Sequence, residues 1–105
     1  MDRKTLEIIE RYKAALQRLG VRPERVILYG SRARAKEKAF SDIDVVVISR
    51  DFASMNLRER LEVLGMAAAR ILEPVHALGY TPEEFEAFGK GSFVGDEVKP
   101  VGTEV

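Results

Sequence analysis

Residues 29–48 read YGSRARAKEKAFSDIDVVVI, a stretch that decides the fold because it joins a Gly-Ser turn to a pair of aspartates heading an apolar run. Asp42 and Asp44 stand two apart. Side chains at i and i+2 of a β-strand project from one face, so a strand over residues 43–48 brings both carboxylates to one point and turns Ile43 the other way, into a core. Two carboxylates held that close repel unless a cation lies between them, and hard oxygen donors suit Mg²⁺. Gly30 and Ser31 follow a second β-rich run, residues 26–29. A residue without Cβ lets backbone N–H groups approach an anion, and a serine hydroxyl adds a hydrogen bond, which makes the turn a candidate triphosphate cradle. Each piece has a plainer reading: a Gly-Ser pair is often only a turn, and Ser41 with Asp42 can make a solvated strand end.

Outward from this core the pattern is helical on both sides. Over residues 2–19, Leu6, Ile9, Tyr12, Leu16 and Leu19 recur at steps of three and four, and Gly20 is a natural terminator. Residues 32–38 are basic and alanine-containing, a turn or two of helix at most. Leu57, Leu61, Leu64, Ala68 and Ile71 mark the next helix, with Asn56 and Glu59 at capping-box spacing and Pro74 closing it. Residues 75–78 suit a short third strand. Thr81, Pro82 and Glu84 then read as a helix start. Glycines 89, 91, 95 and 102 with Pro100 predict an irregular tail, with a terminal edge strand within residues 101–105. The expected fold is α/β (α+β), a single domain over 1–105 with a mixed sheet of three to four strands flanked by helices.

Composition narrows the chemistry. Seventeen basic residues balance seventeen acidic ones, so no global field draws nucleic acid or an anionic membrane, and phosphate binding has to be local. With no cysteine there is no disulfide framework, thiolate zinc site or cysteine nucleophile. The opening MDRKTLEIIERYK is charged rather than an apolar leader, and no run is long enough to span a bilayer, so the expectation is a cytoplasmic protein. Homo-oligomerisation stays open.

Gly-Ser, ten intervening residues, then Asp-Ile-Asp running into valines resembles the signature of the DNA polymerase β-like nucleotidyltransferase superfamily. Within it the chain is similar to the minimal nucleotidyltransferases, small proteins often paired with a HEPN-domain partner in toxin–antitoxin systems. The resemblance implies a polymerase β-like domain in which Gly30 and Ser31 hold phosphate, Asp42 and Asp44 bind Mg²⁺, and Arg32 and Arg34 lie in the nucleotide-binding loop. Ala35 stands where the family pattern ends in glycine.

The resemblance also implies a third carboxylate on the next strand, and that position falls on His76. Histidine there reads either as a ligand or general base, or as a strand-edge residue with a satisfied ring; the second is favoured because histidine cannot replace a carboxylate charge for Mg²⁺. Glu73 is three residues upstream beyond Pro74, an odd offset that points to the opposite face. Two functions compete. One is an enzyme transferring a nucleoside monophosphate, by the resemblance AMP from ATP, to an acceptor hydroxyl on a HEPN-type partner. The other is a degenerate nucleotide-binding domain acting as a binding antitoxin. A purely structural domain would leave Asp42 and Asp44 without a task.

Overall fold

The computed structural model describes residues 2–30 and 42–105. Helix α1 spans Arg3–Arg18, β1 Arg25–Tyr29, β2 Ile43–Ile48, α2 Leu57–Ile71, β3 Val75–Tyr80, α3 Pro82–Ala87 and β4 Thr103–Glu104. A 3₁₀ turn, Arg50–Ser54, follows β2, and a π-helical turn, Val94–Val98, precedes β4. The strands form one sheet in the order β3-β2-β1-β4, with β1 antiparallel to both β2 and β4 and β2 parallel to β3. Parallel pairing requires a crossover, which α2 supplies.

Both faces of the sheet are covered, which is why β2 reads as a nearly unbroken apolar run. Val26, Leu28, Ile43, Val45 and Val47 pack under α1 and α2. Ile27, Val46 and Ile48 pack under Phe85 of α3 and Val94 and Val98 of the π turn. The Tyr12 hydroxyl, buried between the helices, donates to the Leu64 carbonyl at 2.8 Å and ties α1 to α2.

The caps form as the spacing predicts. Asn56 accepts from the Glu59 amide while Glu59 accepts from the Asn56 amide, both at 2.8 Å, and Thr81 with Glu84 repeats the arrangement. α2 ends with Leu72 in the left-handed region, φ 56°, before Pro74 is reached.

The helix faces need correction. α1 buries Thr5, Ile8, Ile9, Tyr12, Ala15 and Leu16, while Leu6 is 41% exposed. α2 buries Leu64, Ala67 and Ile71, leaving Leu57 and Leu61 70% and 46% exposed. The apolar stripe is therefore only half used. The tail also holds more order than its glycines suggest. Val94 and Val98 seal the second core, and a Cβ on Gly95 would run into the Gly89 carbonyl, so this glycine permits a close backbone crossing. The expected terminal strand is β4. Residues 32–38, with their expected helical turn, lie outside the described residues.

Candidate functional site

Three strands bring their ends together beside Gly30. Tyr29 pairs with Asp44 across β1 and β2, and Asp44 pairs with His76 across β2 and β3, so the three side chains line up on one face of the sheet. Asp42 precedes β2 and joins them: His76 Nδ1 lies 3.5 Å from Asp42 Oδ2 and 3.9 Å from Asp44 Oδ1. Ile43 between the aspartates is fully buried in the opposite direction. The imidazole, expected as a plain edge residue, thus stands against both carboxylates, though at distances too long for firm hydrogen bonds.

Gly30 is set against this arrangement. Its φ is +78°, in the region that favours glycine, and a Cβ there would lie 2.6 Å from Asp44 Oδ2. The left-handed φ is what favours glycine here, since the Asp44 carboxylate is the movable end of a side chain and can shift away from a Cβ. Ser31, Arg32 and Arg34 lie outside the described residues.

The electrostatics are those of an uncompensated acid pair. Burial pushes the Asp44 carboxyl above its ordinary range, the His76 ring draws it back, and the Asp42 charge raises it further. Tyr29, half-buried beside Asp44, is pushed up to about 12, first by burial and then by the Asp44 charge, so its phenol remains protonated. Among the described residues no group of three or more His, Asp or Glu side chains is placed to hold a metal ion. What is present is a pair of carboxylates, Asp42 and Asp44, with the His76 imidazole against both.

Glu73, the alternative third carboxylate, is turned away. Its Oε2 accepts from Arg11 of α1 at 3.3 Å, behind the sheet. Glu73 lies in the bend before β3, so its direction follows from that bend and its contact with Arg11 rather than from strand alternation.

A cavity of about 490 Å³ opens from Asp44 and His76 around the edge of β3, lined also by Tyr29, Leu61, Leu78 and Phe93. Phe93 stands edge-on to Tyr29 with ring centroids 5.8 Å apart. The exposed Leu61 and Phe93 that seem wasted as core residues are the walls of this cavity. From the sequence alone, Leu61 reads only as part of a helix stripe and Phe93 as part of an irregular tail, so neither carried a signal.

The nucleotidyltransferase domain family matches residues 9–99. A presumed protein adenylyltransferase of Methanocaldococcus jannaschii is 31% identical over 101 residues, covering 95% of this chain and 97% of that protein. The chain belongs to the nucleotidyltransferase domain family. Two solved structures share the fold. A presumed nucleotidyltransferase from Sulfolobus solfataricus superposes with a TM-score of 0.61 at 19% identity, over 95% of this chain and 80% of that one. A toxin–antitoxin structure with AMP-PNP superposes with a TM-score of 0.56 at 18% identity, over 95% of this chain and 70% of the other. Among the described residues, no helix is long and apolar enough to cross a membrane.

Proposed function

We propose that the protein transfers a nucleoside monophosphate, AMP from ATP, to a hydroxyl on a HEPN-type partner protein, and that it acts as the antitoxin of that pair. The observation that carries this reading is the grouping of Asp42 and Asp44 at the head of β2 beside Gly30, whose left-handed φ of +78° makes a side-chain-free turn next to the Asp44 carboxylate. The names of the Methanocaldococcus relative and of the toxin–antitoxin structure with AMP-PNP support the same choice of nucleotide and setting.

In this reading Asp42 and Asp44 hold a divalent ion, Mg²⁺ by family resemblance, which when bound supplies positive charge to the triphosphate and to the departing pyrophosphate. The Gly30–Ser31 turn orients the phosphates through backbone N–H groups and the Ser31 hydroxyl, and Arg32 and Arg34 flank them. The cavity walled by Leu61 and Phe93 offers an apolar surface to an aromatic acceptor such as a tyrosine. In the transfer, the acceptor oxygen bonds to the α-phosphorus as the bond to the pyrophosphate oxygen breaks, and the hydroxyl proton passes to solvent water.

Titration calorimetry with ATP in the presence and absence of Mg²⁺ tests the site. Asp42→Asn together with Asp44→Asn should abolish the metal-dependent part of the affinity; an unchanged Mg²⁺-dependent affinity would remove both residues from the site. A second reading has its own observation. With His76 where a third carboxylate is expected, the domain has two carboxylates at the site and could bind nucleotide and partner without transfer. Incubation with labelled ATP, Mg²⁺ and a co-encoded partner separates the two, since label on the partner belongs only to the enzyme.

A further inference from the structure

We propose that the open edge of β3 takes up an extended, basic segment of the acceptor protein and so lays its hydroxyl-bearing side chain beside Asp44; this rests on the reading of a partner protein as the acceptor. β3 ends the sheet, with only β2 paired to it. The Ile43 amide donates to the Pro74 carbonyl at 2.9 Å and the Ser49 amide to the Tyr80 carbonyl at 3.0 Å, so the even-numbered residues of β3 turn their backbone groups to β2. Val75, Ala77 and Gly79 turn theirs outward. The Val75 amide folds back on the Glu73 carbonyl at 2.9 Å, and the Gly79 carbonyl accepts from Arg60 Nη1 at 3.2 Å. Between them, half-buried Ala77 keeps an N–H and a C=O that no other described residue binds. An unpaired strand edge of this kind is a template for another strand.

The space beside Ala77 suits a strand. The cavity of about 490 Å³ wraps the edge and takes its walls from both faces of the sheet, Leu61 and Gly65 of α2 on one and His76 and Phe93 on the other. Gly65 leaves its wall open, since a Cβ there would meet nothing within 4 Å. A residue that pairs antiparallel with Ala77, exchanging both backbone bonds, puts its side chain on the α2 side with Leu61. The next residue stands opposite His76, on the face that carries Asp44 and the exposed Phe93 ring. That is the position for the accepting hydroxyl.

Charge decides which segment fits. On α2, Arg58 and Glu62 neutralise each other at 2.8 Å, and Arg60 is taken by Glu84. The site side of the groove carries Asp42 and Asp44 against the single His76 ring. An acidic segment is therefore repelled. A lysine or arginine two residues beyond the hydroxyl, back on the site side by strand alternation, is attracted.

The test uses the whole chain and the acetylated, amidated peptide Leu-Val-Tyr-Thr-Lys, whose Val is set opposite Ala77, with no nucleotide. Saturable binding below about 1 mM is expected, with slowed hydrogen exchange at the Ala77 amide. Methylating the peptide's Val nitrogen should weaken binding by about tenfold, and methylating its Tyr nitrogen should not, because only the first points at β3. Ala77→Pro should match the first result, since proline at an edge position whose nitrogen faces outward leaves the β2–β3 ladder whole. Gly65→Leu fills the α2 wall and should also cost about tenfold, in a helix that accepts leucine better than glycine, so it reports even if the proline variant fails to fold. Glu in place of the peptide's Lys should weaken binding about fivefold. No saturation by about 1 mM, equal effects of the two methyl groups, or unchanged binding in Gly65→Leu overturns the edge as the docking site. So does a dimer of the free chain that disperses in Ala77→Pro, which gives the edge to a second copy. Labelled ATP with Mg²⁺ then separates this inference from the acceptor reading: equal label on the two methylated peptides leaves transfer standing without the edge, while edge binding with no label on Tyr leaves the edge standing and removes the transfer.

Discussion

Strand β3 carries a charged cluster at each end, and the two are built on opposite principles. Near its end, the Arg60 guanidinium is fully used: Nε donates to the Met55 carbonyl at 3.1 Å, Nη1 to Gly79 at 3.2 Å and Glu84 Oε1 at 2.7 Å, and Nη2 to Phe52 at 2.8 Å and Glu84 Oε2 at 3.2 Å. It joins the 3₁₀ turn, α2, β3 and α3, and its side chain is 12% exposed. At its start, His76 lies 3.5 Å from Asp42 and 3.9 Å from Asp44, two acids against one imidazole. The first cluster satisfies every donor and holds the fold; the second leaves charge unbalanced and keeps it available. Even the carboxyl shifts differ in sign, since hydrogen bonds from Arg60 hold Glu84 below the usual range while burial holds Asp44 above it.

The largest expected effect breaks the structural cluster. Arg60→Met keeps the aliphatic packing but strands the Phe52 carbonyl, the Gly79 carbonyl and the Glu84 carboxylate, and should cost about 2–3 kcal/mol in urea unfolding. The same change should leave Mg²⁺-dependent ATP binding nearly intact in the folded fraction. A comparable loss of affinity would show that the two ends of β3 are not independent.

Gly30→Ala attacks the other end through the backbone. Left-handed φ and the displacement of the Asp44 carboxylate, 2.6 Å from the new Cβ, act together, so a loss of about 1–2 kcal/mol in stability is expected. In an Asp44→Ala background the approach disappears and only the φ cost of about 1 kcal/mol should remain. A strictly additive double-mutant cycle would mean that the turn and the aspartate do not press on each other.

The smallest effects sharpen the contrast through pH. Glu84 has a lowered carboxyl pKa, so its contribution is present above the usual carboxyl range and lost as pH falls through the lowered value. Glu84→Gln should destabilise at neutral pH by no more than about 1 kcal/mol, discounted because the carboxylate is 42% exposed, and by nearly nothing in acid. Asp44 runs the other way. Its raised pKa means that ionisation works against folding, and the penalty appears as pH rises through the folded-state value and persists at neutrality. Asp44→Asn should therefore raise the metal-free melting temperature at neutral pH by about 2 °C, a few tenths of a kcal/mol, and change nothing well below pH 4. Shifts of the same sign in the two variants would refute the contrast.

Much of the scaffold was legible along the chain because it is governed by near neighbours. The Asn56–Glu59 and Thr81–Glu84 boxes need only three-residue spacing, and the apolar run of β2 needs only alternation and bulk. The helix faces were legible in period but not in phase. Leu6, Leu57 and Leu61 fit a stripe as well as the buried residues do, and only the position of each helix over the sheet decides which of them meets a neighbour. The π-helical turn and the Arg60 network left no local trace, since both depend on groups far apart in sequence.

By itself, then, the sequence implied that Asp42 and Asp44, two apart at the head of an apolar run, project to one side, because strand alternation is a property of the backbone and needs no partner. It also determined that residue 76 is a histidine and the nearest upstream acid is Glu73. Only the tertiary structure decided that His76 lies beside Asp44 and that Glu73 turns back to Arg11. Parallel register is set by how the α2 crossover packs on the sheet, and a slip of one residue would have exchanged the two faces.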